Sequence, residues 1–106
     1  MSIDEKNLRN DFKAYLRGED PSLTEMETAP RLEEWVPAVS RSPGGNRVMT
    51  LVGVVTGHPT LTDGQRIETS PLVWLDRRGG WLRTRSRVYV LVKPAGQEIP
   101  IDGGDL

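Results

Sequence analysis

The stretch WLRTRSRVYVLV, residues 81–92, decides the predicted fold and the candidate site of this chain. Side chains two positions apart share one face of a β-strand, and alternating patterns of this kind are typical of strands. One face would carry Trp81, Arg83, Arg85, Arg87, Tyr89 and Leu91, and the other would carry Leu82, Thr84, Ser86, Val88, Val90 and Val92. The pattern predicts one long strand that presents three arginines between two aromatic rings.

A row of cations on one strand face favours a charged partner. Neighbouring guanidinium groups repel one another and need counter-charges or water. Cations beside ring faces suit nucleic acid, and they equally suit a carboxylate-rich protein surface. With the two arginines of the preceding turn, the predicted partner-binding residues are Trp81, Arg83, Arg85, Arg87, Tyr89, Arg77 and Arg78. The structural alternative is a solvated face whose arginines pair with Glu68 or with the acidic N-terminal segment.

Strand patterns continue from this stretch toward the N-terminus. Residues 47–56, RVMTLVGVVT, are rich in β-branched side chains and predict a first strand. Residues 66–75, RIETSPLVWL, predict a second strand, which Pro71 confines to an edge, a bulge or two short strands because proline cannot donate to a ladder. Turn residues at Asp63, Gly64 and positions 76–80 connect the three strands.

The N-terminal part has helical signals instead. A capping pattern at Ser2 and Glu5, and a glycine at position 18, bound a helix over 3–17. Its apolar stripe, expected to dock on the sheet, consists of Leu8, Phe12, Tyr15 and Leu16.

A second, short helix is predicted over 30–35. Pro30 suits a first helical position, and Leu32 and Trp35 are three residues apart, with Trp35 expected in the core or as a lid. The predicted fold class is therefore α+β: an N-terminal amphipathic helix and a short second helix packed on a three-stranded antiparallel β-meander.

Length and charge limit the organisation of the chain. A length of 106 residues allows one domain. Residues 1–40 carry five basic and nine acidic groups, whereas residues 41–93 carry nine basic and three acidic ones. We predict one small domain over 1–94, helical over 1–40 and sheet over 47–93. An acidic flexible tail would follow over 95–106, where Ile99 and Ile101 pair briefly with a sheet edge.

Catalytic signals are few. The chain has no cysteine and a single histidine, which excludes thiolate chemistry and any site that needs two imidazoles. That histidine, His58, is expected to fix a turn, and Ser70 lacks a glycine-flanked nucleophile motif. We predict no enzyme activity, no metal site and no cofactor.

The segment 53–91 resembles short uncharacterised alphaproteobacterial and phage proteins of a domain-of-unknown-function family. The resemblance depends on Gly57-His58-Pro59, Asp63-Gly64, Thr69-Ser70 and the Tyr89-x-Leu91 pattern, and residues 29–35 resemble the lead-in of that family. It covers about half of the chain. It implies a small three-stranded module, often encoded on mobile elements, and it transfers no catalytic residue.

These observations predict a small, non-enzymatic binding or regulatory module whose basic-aromatic face engages an acidic partner, either a protein or nucleic acid. One alternative is a phage or mobile-element inhibitor of a host defence protein that acts by occluding a surface. Another is a homodimer whose sheets pair through the strand of Trp81. No apolar run is long enough for a membrane span, and no signal pattern precedes the first helix. We therefore expect a cytoplasmic protein without a membrane partner.

Overall fold

Residues 3–95 are described by a computed structural model, with side chains from residue 5 onward. The elements are α1 (Ile3–Leu16), α2 (Leu23–Thr28), β1 (Arg31–Arg41), β2 (Arg47–Thr56), β3 (Gln65–Glu68), β4 (Trp74–Asp76), β5 (Trp81–Arg83) and β6 (Val88–Leu91). The α+β class is confirmed. The three-stranded meander is wrong, because the strands form one mixed six-stranded sheet in the order β3-β2-β1-β6-β5-β4.

Helix α1 confirms the predicted N-terminal helix. Gly18 adopts a left-handed φ of 86° just past its end, which a residue with a side chain rarely does. The amide of Gly18 donates to the carbonyl of Tyr15 at 2.9 Å and satisfies one of the last carbonyls of the helix. The predicted serine cap at Ser2 lies outside the described residues.

The predicted helix over 30–35 is wrong, because this segment begins β1. The second helix of the structure, α2, lies earlier in the chain. Ser22 caps α2 by accepting a hydrogen bond from the Glu25 amide at 3.1 Å. The pairing of β1 with β2 shifts between Glu33 and Val36, which marks a β-bulge, and Glu34 has a φ of 50°. Because of the extra residue, Leu32 and Trp35 both face the core although they are three positions apart.

Strand β2 has the predicted bounds, and the second predicted strand is divided in two. Pro71 lies between β3 and β4, in agreement with the two-short-strands alternative. The turn before β3 uses the predicted residues: Asp63 accepts from the Gly57 amide at 2.8 Å, and Gly64 has a φ of 87°.

The segment between β3 and β4 connects the two halves of the sheet. The amides of Thr69 and Leu72 donate to Leu51 and Met49 of β2, at 2.8 and 2.9 Å. The next amide, that of Val73, donates to Arg83 of β5 at 2.7 Å. The sheet therefore curls around one core, whose buried members are Leu32, Trp35, Leu51, Val55, Leu82, Tyr89 and Leu91.

The helices pack on the outer side of β4, β5 and β6. A second buried cluster consists of Tyr15, Trp81 and Val88, with Met26, Ala29 and Trp74 packed against it. The ring centroids of Tyr15 and Trp81 are 4.8 Å apart. The contact between α1 and the sheet thus depends on a few aromatic rings.

Two further predictions concern the C-terminal tail and the absence of a membrane span. Residues 96–106, most of the predicted acidic tail and both Ile99 and Ile101, lie outside the described residues. Among residues 3–95, no helix has the length and the apolar character needed to cross a bilayer.

Candidate functional site

The predicted row of arginines does not form, because residues 81–92 are not one strand. Strands β5 and β6 are antiparallel neighbours, and residues 84–87 turn between them. The amide of Thr84 donates to the carbonyl of Arg87 at 2.9 Å, and the Thr84 hydroxyl contacts the backbone of Arg87 at 3.3 Å. The turn separates the side chains that a single strand would have aligned.

Trp81 and Arg83 are buried, so their predicted exposure is wrong. Trp81 is 1% exposed and Arg83 is 5% exposed. Arg83 donates to the carboxylate of Asp11 on α1, to the hydroxyl of Tyr15 at 3.3 Å and to the carbonyl of Thr84 at 2.8 Å. The positive charge of Arg83 is therefore neutralised within the chain. For this residue the structural alternative, in which arginines pair with the acidic N-terminal segment, is confirmed.

Titratable groups lie around the ion pair of Arg83 and Asp11. Burial opposes the charge of Arg83, but its hydrogen bonds to Asp11 and Tyr15 outweigh burial and raise its pKa. Burial also raises the pKa of Tyr15. Burial, and then the negative charge of Asp11, raise the pKa of Glu25 on α2. Asp11 on α1 and Glu25 on α2 thus lie near the guanidinium group of Arg83. This cluster connects both helices to β5, which is a structural role.

The remaining members of the row lie in different places. Tyr89 is 6% exposed in the main core, where burial raises its pKa. Arg85 is exposed in the turn and lines a groove beside α1. Arg87 lines another groove together with Glu25 and Pro59. Strand β5 pairs on both sides, with β4 and with β6, so it has no free edge for the predicted dimer contact.

Arg77 and Arg78, in contrast, lie together at an open site. An open groove of about 660 Å³ is lined by Trp35, Leu75, Arg77 and Arg78. Its volume falls within the roughly 300–1,000 Å³ of typical ligand sites. We call it the arginine groove.

The β4–β5 turn holds both arginines in place. The Asp76 carboxylate accepts from the Gly79 amide at 2.7 Å, and the Asp76 carbonyl accepts from the Gly80 amide at 2.9 Å. Gly80 has a φ of 77°. A Cβ atom at Gly79 would lie 2.9 Å from the Asp76 carboxylate and 3.0 Å from the Trp81 indole nitrogen, so glycine avoids a close contact there. These contacts close the turn that carries Arg77 and Arg78.

Trp35 forms the aromatic wall of the arginine groove. It follows the bulge in β1 and is 7% exposed. Its indole nitrogen is buried and has no hydrogen-bond partner among the described residues. The sequence indicated a core or lid role for Trp35. Its position beside the β4–β5 turn depends on the bulge in β1. No motif that we recognise in the sequence predicts that bulge.

His58 fixes a turn, as predicted. Its Nδ1 atom accepts from the amides of Thr60 and Leu61, at 3.1 and 3.2 Å. Burial, and then the positive charge of Arg87, lower the pKa of His58. Thr69 also has a structural role, since its hydroxyl accepts from the Leu51 amide at 3.0 Å.

Comparison with known proteins gives a family but no described relative. The model of a family of unknown function, DUF6634, matches residues 3–98. No match is found among the curated proteins or among the solved structures. The match extends over both helices and all six strands, well beyond the segments whose motifs suggested a domain-of-unknown-function family. The chain belongs to the family of unknown function DUF6634.

Proposed function

We propose that this protein is a small, non-enzymatic binding module that engages an acidic protein through the arginine groove. The observation that carries the proposal is the position of Arg77 and Arg78 beside Trp35 and Leu75 around one open groove. Guanidinium groups form bidentate contacts with carboxylates, and the half-buried Leu75 adds apolar contact area. The groove therefore combines charge with apolar surface.

Burial of the aromatic residues favours a protein over nucleic acid as the partner. Proteins that bind single strands stack bases on exposed aromatic faces. Here Trp81, Tyr89 and Trp35 are 1%, 6% and 7% exposed. The sequence pI of about 5.8 is also far below that of a typical nucleic-acid-binding domain.

The engagement of His58 supports a non-enzymatic role. A general base needs a free ring nitrogen within reach of its substrate. The Nδ1 atom of His58 already accepts two backbone hydrogen bonds within its own turn.

Affinity capture with and without nuclease tests the proposal. The tagged chain, and a variant with Arg77→Glu and Arg78→Glu, are used as baits in a lysate of the cells that encode it. We expect the wild type to retain a protein after nuclease treatment and the variant to lose it. Capture that disappears with nuclease, or that survives the double charge reversal, would contradict the proposal.

A role as a phage or mobile-element inhibitor that occludes a surface of a host defence protein stays a prediction. It would use the same surface and give a stoichiometric complex with the inhibited protein.

A further inference from the structure

Helix α1 leaves much of its apolar stripe uncovered. Tyr15 is buried, but Leu8 is half-buried, Phe12 is 36% exposed and Leu16 is 63% exposed. These three residues are four positions apart and lie on one side of the helix. The predicted docking of the whole stripe on the sheet is therefore wrong, because Tyr15 is the one residue of the stripe that is buried, and Phe12 meets the sheet only with one side of its ring.

A groove lies beside this uncovered stripe. It has a volume of about 290 Å³, and its lining residues are Glu5, Leu8, Arg9, Phe12, Val73 and Arg85. The Phe12 ring packs edge-on against Trp74 at 5.6 Å, which holds the apolar floor in place. Two guanidinium groups and one carboxylate surround that floor.

A basic stripe runs next to the apolar one. Arg9, Lys13 and Arg17 are exposed and again four positions apart, each directly after a residue of the apolar stripe. Arg17 also contacts Glu19 at 3.0 Å. Helix α1 and the residue that follows it, Arg17, thus present parallel apolar and basic rows over about 12 Å, given a rise of 1.5 Å per residue.

We propose that this surface, the α1 groove, docks an acidic amphipathic helix of a protein partner. A helix with apolar side chains every three or four residues would place them along the apolar row, with one side chain in the groove. Glutamates or aspartates beside that row would face Arg9, Lys13 and Arg85. A recessed groove with defined walls suits a protein side chain better than a flat lipid surface. The proposal concerns a site separate from the arginine groove and does not depend on it.

Titration with a designed peptide tests this assignment. The probe is an alanine-based peptide of about 20 residues, longer than the roughly 12–15 residues below which isolated helices are marginal, with leucines at every fourth position flanked by glutamates. Amide chemical shifts of the labelled full chain are recorded during the titration. We expect shifts centred on Phe12, Val73 and Arg85. A variant with Arg9→Glu and Arg85→Glu should bind at least about fivefold more weakly, since charge reversal at a complementary surface opposes association.

Control variants separate this site from others. The double reversal Arg47→Glu/Arg66→Glu, at exposed positions of β2 and β3, changes the net charge equally and should leave peptide binding unchanged. Leu16→Gln should weaken binding without lowering the melting temperature, because Leu16 is largely exposed. The assignment is overturned if the peptide causes no shifts, if the shifts lie elsewhere, or if a peptide with lysines in place of the glutamates binds equally well. It is also overturned if the chain binds vesicles of anionic lipid through these residues and ignores the peptide.

Discussion

The guanidinium of Arg83 donates a hydrogen bond to the carboxylate of Asp11, a residue 72 positions earlier in the chain. The Arg83 side chain is 6% exposed, whereas that of Asp11 is 38% exposed. Apart from this ion pair, the described contacts of α1 with the sheet are mainly those of the Tyr15 and Phe12 rings with Trp74 and Trp81. The pair therefore connects α1 to β5 and removes Arg83 from the set of residues that can meet a partner.

Asp11→Asn tests the structural role of this pair. The substitution leaves a buried guanidinium without its counter-charge, and a hydrogen bond to a charged group contributes roughly 1.5–3 kcal/mol. We expect the free energy of unfolding to fall by about 2 kcal/mol, measured by urea denaturation. Asp20→Asn, at an exposed position, is the matched control. Equal stability of the two variants would show that the pair contributes nothing.

Helix α1 could be predicted from the sequence because its signals are local, the spacing of its apolar residues and the glycine at position 18. Strand β2 could be predicted because its alternation agrees with its burial. Strand β1 could not. Leu32 and Trp35 have helical spacing, and only the bulge beside Glu34 brings both to the core face of a strand. Pro30, which suits a first helical position, favours the same helical interpretation.

The candidate site was partly predictable for a similar reason. A partner-binding role for Arg77 and Arg78 stays a prediction from the sequence, and the structure places both residues at an open groove. The sequence did not indicate the turn over 84–87, which contains neither glycine nor proline and is closed by backbone contacts between Thr84 and Arg87. Because no residue in the sequence signals that turn, the alternating pattern predicted one continuous strand and an exposed Arg83.

Gly53→Ala tests the close approach of β1 and β2 at the bulge. A methyl group at Gly53 would lie 2.8 Å from the carbonyl oxygen of Glu33 and 2.9 Å from a side-chain carbon of Leu32. Overpacking of this kind lowers the free energy of unfolding by about 1–3 kcal/mol, which thermal denaturation can measure. Gly44→Ala is the control, because its nearest neighbour would be 4.0 Å away. Equal melting temperatures of the two variants would show that β1 and β2 leave room for a methyl group at position 53.

The pKa of His58 predicts how stability depends on pH. Since burial lowers this pKa, the unfolded chain binds the proton more readily than the folded chain. The free energy of unfolding should therefore increase as the pH rises toward the ordinary value of 6.5, and this contribution is complete above it. Urea denaturation across this range measures the slope, and His58→Ala should abolish it.

A proton NMR titration gives the same pKa directly. His58 is the only histidine of the chain, so its ring signals need no assignment. We expect a midpoint below 6.5, because protonation at Nδ1 would break the hydrogen bonds from Thr60 and Leu61. A midpoint above 6.5 would contradict the described turn.

The affinity of the captured protein for charge-reversed variants tests the central claim most directly. Calorimetric titrations compare the wild type, the double variant Arg77→Glu/Arg78→Glu and a control that reverses two exposed arginines of β2 and β3, Arg47→Glu/Arg66→Glu. We predict that the double variant binds at least tenfold more weakly, a loss of about 1.4 kcal/mol or more, whereas the control binds like the wild type. Equal weakening by both variants would indicate an effect of net charge alone, and unchanged binding by the double variant would show that the arginine groove is not the binding site.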